Sequence, residues 1–484
     1  MRHTMKTPIW LLLFSLAGCT VGPDYIKPEV DTPAAFKQAD GTQWKQAEPQ
    51  DHVQRGPWWQ VFNDELLNQL VPQVEVSNQT LRAALARYQQ AVAGTRAARA
   101  DLFPTIGSTL SRTRSQSSQL GNRTFNGNRL NTNNTLSANL SWEADIWGRI
   151  SRTVEANRAG TDASASDVSA ALLSAQAELV QNYFALRLAD SQRLVLEDSI
   201  ATYEKSLQQT RNRYAAGVAS KADVVQAETQ LNATRAQALD TGIQRAQLEN
   251  AIAVLTGKPP SSLSIPVTRL TEQLPLVPVG LPSQLLERRP DVAAAERRVA
   301  AANAQIGVAK AAFFPTVNLS VNGGFQSTSS ANLIDIANRF WSVGPALALT
   351  LFDAGRRRAL SDQAIAAYDE QVANYRQTTL TAFQEVEDNL AALNVLQQEI
   401  VLQTQALQAA RQSLEISTNQ YQAGLISYLD VVTVANIALN NERTLLTLRG
   451  QQFAATVQLM RALGGGWEPG TALPHMQESA RQKE

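Results

Sequence analysis

The chain has 484 residues, with 43 basic and 43 acidic side chains and a formal net charge of zero at pH 7. This balance argues against a nucleic-acid partner, which a strongly basic surface would indicate. One cysteine excludes an intramolecular disulfide, and three scattered histidines give little basis for a zinc site or a Ser-His-Asp triad.

The first residues have the pattern of an export signal. Arg2, His3 and Lys6 precede the short apolar core Ile9–Leu16, which ends in Leu-Ala-Gly-Cys19. This tetrapeptide is typical of a bacterial lipobox. We therefore predict a signal peptide at residues 1–18 and N-acyl and S-diacylglycerol lipid on Cys19, with no other cofactor. The alternative is an ordinary secretory signal in which the cysteine occurs by chance.

The rest of the chain contains one unit twice. Residues 102–106 (LFPTI), 147–149 (WGR) and 214–225 recur as 313–317 (FFPTV), 354–356 (AGR) and 421–432. The offset is 211 residues for the first match and 207 for the others, so the copies keep one order. We predict five further segments: an extended N-terminal segment at 19–63, repeat 1 at 64–258, a Pro-rich linker at 259–282, repeat 2 at 283–464 and a polar tail at 465–484.

Each repeat has a strand-forming part that alternates apolar and polar residues. Residues 136–146 and 316–322 alternate clearly, 342–351 also alternate, and 105–113 do so more weakly. Gly/Asn/Ser-rich loops at 115–134 and 322–338 separate them, which predicts one β-hairpin per repeat. Since no later run approaches the roughly 18 apolar residues of a transmembrane helix, any membrane crossing must use these strands.

Four strands cannot close a cylinder, and an open sheet edge in lipid leaves backbone groups unpaired. A membrane-spanning form must therefore be an oligomer. Three copies would supply twelve strands, although the sequence alone does not give the number. An ordinary half-buried sheet is the alternative.

Long helices follow the hairpins. Residues 105–258 and 346–468 contain no proline and are rich in good helix formers. Every seventh residue from Ile365 to Tyr421 is apolar except Thr379, a period that predicts packed, supercoiled helices. Residues 356–421 would extend about 100 Å as a helix. A solid structural coiled coil is the alternative.

A repeated motif predicts a helical hairpin in each copy. Gly217 and Gly424 suit the left-handed position that ends a helix. Ser220 and Ser427 are each followed three residues later by aspartate, which predicts a capping box at the start of the next helix. Both turns, which we call the tips, should lie at the far end of the helices from the strands.

With these motifs the chain resembles the TolC-like outer-membrane factors, in particular the lipoprotein (NodT) branch that serves resistance-nodulation-division pumps. Residues 19–25 (CTVGPDY) and 58–67, together with the doubled tip motif, carry the resemblance. It implies an α+β membrane protein with two tandem repeats, each a β-hairpin plus long helices. It also implies a homotrimer in the outer membrane of a Gram-negative bacterium, with a twelve-strand β-barrel continued by a twelve-helix α-barrel with an equatorial region. A periplasmic adaptor and an inner-membrane pump would be the partners, besides outer-membrane lipid.

The resemblance also assigns roles at the tips. Adaptor contacts would involve Gly217, Val218, Ser220, Gly424, Leu425 and Ser427, and a periplasmic gate would involve Tyr428, Leu429 and Asp430. Three Asp430 carboxylates in a ring would favour cations and repel one another. Simple helix capping is the alternative for Asp430 and Asp223. Thr433 stands where some relatives have a further aspartate, which argues against a second acidic ring.

We expect a passive efflux duct for drugs or other small toxic solutes. The alternatives are a type I protein-secretion duct and a structural coiled-coil lipoprotein. Phosphate-loop, metal-ligand and triad patterns are absent from the sequence, so we do not expect an enzyme.

Overall fold

The computed structural model describes residues 20–31, 33, 36–37, 57–116, 130–271, 274–275 and 289–465. Its helices are α1 (Glu65–Ser77), α2 (Gln79–Ala100), α3 (Arg149–Ala215), α4 (Lys221–Leu255), α5 (Pro290–Ala311), α6 (Arg356–Gln422) and α7 (Tyr428–Ala462). Its strands are β1 (Thr105–Gln116), β2 (Leu130–Ala144), β3 (Thr316–Ser327) and β4 (Arg339–Ala348). Short 3-10 turns occupy Trp58–Phe62, Pro260–Ser262 and Ile336–Asn338.

The internal repeat is confirmed by the helix bounds. Helices α2 and α5 each have 22 residues, α3 and α6 each have 67, and α4 and α7 each have 35. The bounds of α5, α6 and α7 lie 211 or 207 residues after those of α2, α3 and α4, the same two offsets as in the sequence motifs. The predicted tandem repeats of a β-hairpin plus long helices are therefore confirmed.

The long helix α6 buries the middle of its predicted heptad line. In α6, Thr379 and Val386 are fully buried and Leu393 and Leu407 nearly so, whereas Ile365 near the start of the helix is exposed. The absence of proline allows 67 residues to continue without a break, about 100 Å of helix. None of the helices in the described part of the chain is apolar enough over a sufficient length to cross a membrane.

The four strands form one antiparallel sheet in the order β1-β2-β3-β4. Its register places apolar residues on one face: Ile106 pairs with Leu140, Leu140 with Val321, and Val321 with Val343. The intervening positions, such as Asn139 and its partner Asn322, are polar and lie on the other face. This sheet contradicts the alternative of a purely coiled-coil protein.

The strands are longer than predicted at their hairpin ends. The expected loop at 115–134 begins too early and ends too late, since β1 reaches Gln116 and β2 starts at Leu130. Residues 322–327, expected in the loop at 322–338, belong to β3 instead. Strand β4 covers 339–348 rather than the expected 342–351. Asparagine and threonine are acceptable in strands when the ladder continues beside them, as it does for Thr113 and Asn133.

The described residues divide into two compact units, and each contains parts of both repeats. One unit comprises residues up to Glu29, Arg87–Ser164 and Ala294–Tyr375, including the sheet; the other comprises Val30–Ala86, Ala165–Ala293 and the chain from Arg376 onward. The second unit holds the largest apolar core, where Phe62, Phe184 and Phe453 pack ring against ring. The sequence-based segment boundaries stay a prediction.

Candidate functional site

The two tips end their first helix in the same way. Gly217 and Gly424 have positive φ angles of 75° and 80°. At the first tip the Gly217 amide donates to the Tyr214 carbonyl, and the Val218 amide donates to the Arg213 carbonyl at 2.9 Å. The corresponding pair of bonds is present at the second tip. This is the Schellman pattern, which explains why glycine stands at both positions.

The second helix of each hairpin begins on the predicted serine and aspartate. Ser220 Oγ accepts from the Asp223 amide at 3.1 Å, and Asp223 accepts from the Ser220 amide at 2.9 Å. In repeat 2, one Asp430 oxygen accepts from both the amide and the hydroxyl of Ser427, at 3.0 and 2.7 Å. Capping is therefore confirmed for both aspartates, and it leaves the gate role of Asp430 a prediction.

Apolar side chains at the tips point to solvent. Val218 is 65% exposed, Leu425 75% and Leu429 56%. A Cβ added at Gly217 or Gly424 would meet nothing within 4 Å. The tips thus combine open space at their glycines with exposed apolar side chains.

Beneath the tips, the four long helices pack around a small apolar cluster of Tyr203, Leu207, Val224, Ala227, Leu231, Tyr428, Val432 and Ala435. Tyr428 is only 3% exposed, and its hydroxyl lies 3.0 Å from Ser206 Oγ. Burial, reinforced by the neighbouring Tyr421, raises the pKa of the Tyr428 hydroxyl. In the single chain Tyr428 therefore joins two hairpins together, while Leu429 and Asp430 beside it are exposed.

A contact of an arginine, which the sequence analysis did not predict, also joins the two helical hairpins. The Arg213 guanidinium donates to the carbonyls of Tyr421 and Gln422, each at 3.3 Å, and lies over the Tyr421 ring. The equivalent position in repeat 2 is Gln420. Because Arg213 and Tyr421 are 208 residues apart in sequence, no local pattern predicts this contact.

Two ion pairs brace the hairpins at equivalent positions with their charges exchanged. Glu204 on α3 pairs with Arg235 on α4 at 2.6 Å. In repeat 2, Arg411 on α6 pairs with Glu442 on α7 at 2.7 Å. Both pairs are largely exposed, so each contributes at most about 1 kcal/mol.

The segment that follows the predicted lipid site docks beside the sheet. Cys19 itself lies outside the described residues, but the Val21 amide donates to the Trp147 carbonyl at 3.1 Å, just after β2. At Gly22 a Cβ would lie 2.5 Å from the Gly307 Cα, so only glycine permits this crossing of α5. Asp24 pairs with the buried Arg152 at 3.3 Å.

Comparisons with known proteins agree with this geometry. The sequence profile of the family described as "Outer membrane efflux protein" matches residues 70–258 and 281–465, once per repeat. The chain is 32% identical to the probable efflux pump outer membrane protein TtgC of Pseudomonas putida, over 96% of each protein. It is 30% identical to the cation efflux system protein CusC of Escherichia coli, over 94% of this chain and 97% of that one. The solved structure of the outer-membrane channel OprN, 31% identical, matches with a TM-score of 0.86 over 93% of this chain and all of that one.

Proposed function

The chain belongs to the outer membrane efflux protein family, and on that premise we propose that it is the outer-membrane channel of a tripartite efflux system. It is a passive duct in a Gram-negative outer membrane that exports drugs or other small toxic solutes. One observation carries the proposal: the four-stranded sheet has an apolar face, a polar face and two edge strands, β1 and β4, that pair with nothing else in the described chain.

Closure of the sheet by further copies follows from its open edges. Exposed backbone groups at the edges of β1 and β4 cannot remain unpaired in lipid. Pairing β4 of one copy with β1 of the next satisfies both edges, and three copies form a twelve-strand cylinder with the apolar face toward lipid. The long helices of the trimer then enclose the periplasmic part of the duct.

The repeat gives the register of this pairing. Thr105 and Ser141 pair in the first hairpin. Adding the offsets of 211 and 207 gives Thr316 and Ala348, which pair in the second hairpin. Leu140 of β2 pairs with Val321 of β3. Their counterparts in the other repeat are Leu347 of β4 and Leu110 of β1. We therefore expect Leu347 of one copy to pair with Leu110 of the next.

We expect cysteines at 110 and 347 to form a disulfide between copies, since directly opposed residues have Cβ atoms about 4.5–5.5 Å apart. Oxidation of the full-length double variant should give covalent dimers and trimers on denaturing gels. Cysteines at 110 and 343 are the off-register control, and the two single variants exclude other pairings. Preferential cross-linking of the control would contradict this register, whereas monomers by size in every sample would contradict the trimer.

Under this proposal the exposed tips receive a periplasmic adaptor, which connects the duct to an inner-membrane pump. The open space at Gly217 and Gly424 and the exposed Val218 and Leu425 support this assignment. Lipid on Cys19 anchors the chain in the membrane. The docking of Val21 and Gly22 beside the sheet supports an anchor close to the sheet.

A substitution of Asp430 tests the proposed periplasmic gate. Replacing Asp430 by Ala should raise single-channel conductance in planar bilayers and weaken cation preference, since a ring of three carboxylates near the axis is removed. Asp223→Ala is the matched control, because it removes an equivalent capping carboxylate, worth about 1 kcal/mol, outside the proposed ring. Equal changes in both variants, or none in either, would leave Asp430 as a helix cap only.

A further inference from the structure

The charged residues of the sheet are few and unevenly placed. The four strands contain Arg112, Arg114, Glu143 and Arg339 as their only charged side chains. Glu143 lies on the polar face and forms a salt bridge with Arg149 at 2.9 Å. The three arginines all lie on the other face, which is otherwise apolar or uncharged.

The pairing register fixes this placement. Arg112 and Arg114 follow Leu110 at steps of two along β1, so they share its face. Leu110 pairs with Leu136, Leu136 with Phe325, and Phe325 with Arg339, which puts Arg339 in the same row.

All three arginines lie toward the hairpin ends of their strands. Arg112 is seven residues beyond Thr105, the start of β1, or roughly 23 Å along the strand. The sequence from Thr105 to Leu110 and from Val343 to Leu347 has no charge on this face. The apolar face is thus an uncharged band that ends in a cationic edge at one side only.

The three arginines are not neutralised by ion pairs within the described residues. Each is exposed, and none forms an ion pair with any residue in the described part of the chain. Arginine on a lipid-facing strand costs about 2–4 kcal/mol at the bilayer midplane but about 0–1 kcal/mol at the interface. Trp341, 75% exposed and two residues from Arg339 on the same face, is the residue type that concentrates at that interface.

The direction of the sheet in the membrane follows from the N-terminal segment. Val21, two residues after the lipidated position proposed above, is bonded to Trp147 at the helix-bearing end of the sheet. The lipid enters the periplasmic leaflet, so that end lies at the periplasmic side. The arginines, at the opposite end, lie at the level of the outer-leaflet headgroups.

From this placement we propose that Arg112, Arg114 and Arg339 form a binding surface for the phosphate groups of a phosphorylated glycolipid in the outer leaflet. The inference rests on the proposed channel function, which turns the apolar face toward lipid. Guanidinium groups bind phosphate through two parallel hydrogen bonds, and the apolar band below accommodates the acyl chains of the same molecule. Three copies of the chain carry nine such arginines around the channel.

The experiment titrates diphosphoryl lipid A against the purified full-length protein in detergent and follows the bound lipid by native mass spectrometry. Each arginine near an anionic lipid surface contributes about 1 kcal/mol, or roughly a factor of five. The triple variant Arg112→Gln, Arg114→Gln, Arg339→Gln should therefore bind on the order of 100-fold more weakly. The matched control, Arg87→Gln, Arg96→Gln, Arg158→Gln, removes three exposed arginines from α2 and α3 and should bind as the parent does.

Two results would overturn the proposal. One is equal binding by the triple variant and the parent. The other is full displacement of the lipid by millimolar inorganic phosphate, which would make a free anion the ligand. Conductance of the same preparations in planar bilayers separates this question from the channel function: both variants should conduct, and a parent protein that forms no channels would refute the duct rather than the lipid contact.

Discussion

Tryptophan in place of Gly424 is expected to abolish drug export while leaving the trimer intact. A side chain at this position meets nothing within 4 Å in the chain itself, so the indole projects from the second tip into the space proposed for the adaptor. The cell should become as drug-sensitive as one that lacks the channel, as measured by minimum inhibitory concentration. Heat-modifiable trimers on gels should persist, because Gly424 belongs to neither of the edge strands, β1 and β4, that are proposed to pair between copies.

Gly424→Ala separates bulk from backbone strain. Any residue other than glycine at a φ of 80° costs about 1–2 kcal/mol, and alanine carries that cost without the bulk. We expect the alanine variant to retain most of the export. Loss of trimers in the tryptophan variant would assign Gly424 to folding, and loss of export in the alanine variant would mean that turn geometry matters more than docking.

The helical part of the fold was predictable because its signals are local and repeated. Absence of proline, a period of seven and a glycine at each tip are all readable from the sequence, and the structure agrees with them. The ends of the strands were not predictable from the sequence. Residues 130–134 (LNTNN) have the composition of a loop and form a strand because they pair with distant residues.

The contacts between the two helical hairpins depend on tertiary packing and could not be predicted from the sequence. The resemblance assigns Tyr428 to the gate, and in the single chain its ring is buried against Tyr421 and its hydroxyl contacts Ser206. The gate assignment of Tyr428, Leu429 and Asp430 stays a prediction. The bonds of Tyr428 to Ser206 and of Arg213 to Tyr421 hold the two hairpins together in the single chain.

The divergence of the two repeats indicates which features the fold requires. The exchanged ion pairs Glu204–Arg235 and Arg411–Glu442 preserve the brace but reverse the sign of charge on each helix. A brace needs opposite charges in either order, whereas each helix turn needs glycine itself. The order of the two charges can therefore differ between repeats without loss of the hairpin structure.

Asparagine in place of Asp190 is expected to destabilise the protein by about 3–5 kcal/mol, the cost of removing the carboxylate from a buried ion-pair network. Arg187 loses the carboxylate it pairs with, and Arg245 keeps Glu249. Asp190 is fully buried and accepts from Arg245 at 2.7 Å, from Arg187 at 3.3 Å and from the Thr268 amide at 3.2 Å. Arg187 in turn donates to the Pro266 carbonyl, so the network ties α3 and α4 to the chain between the repeats. Thermal unfolding of the purified protein in detergent should start at a markedly lower temperature.

Asp198→Asn is the control, since it removes the same charge from the same helix. Its partner Arg269 lies 3.3 Å away, and both side chains are mostly exposed, so the change should cost no more than about 1 kcal/mol. Similar unfolding temperatures for the two variants would mean that water enters the Asp190 network or that the arginines find other acceptors. A large difference would show that the segment after α4 is held by buried charge, which neither its proline content nor its composition indicates.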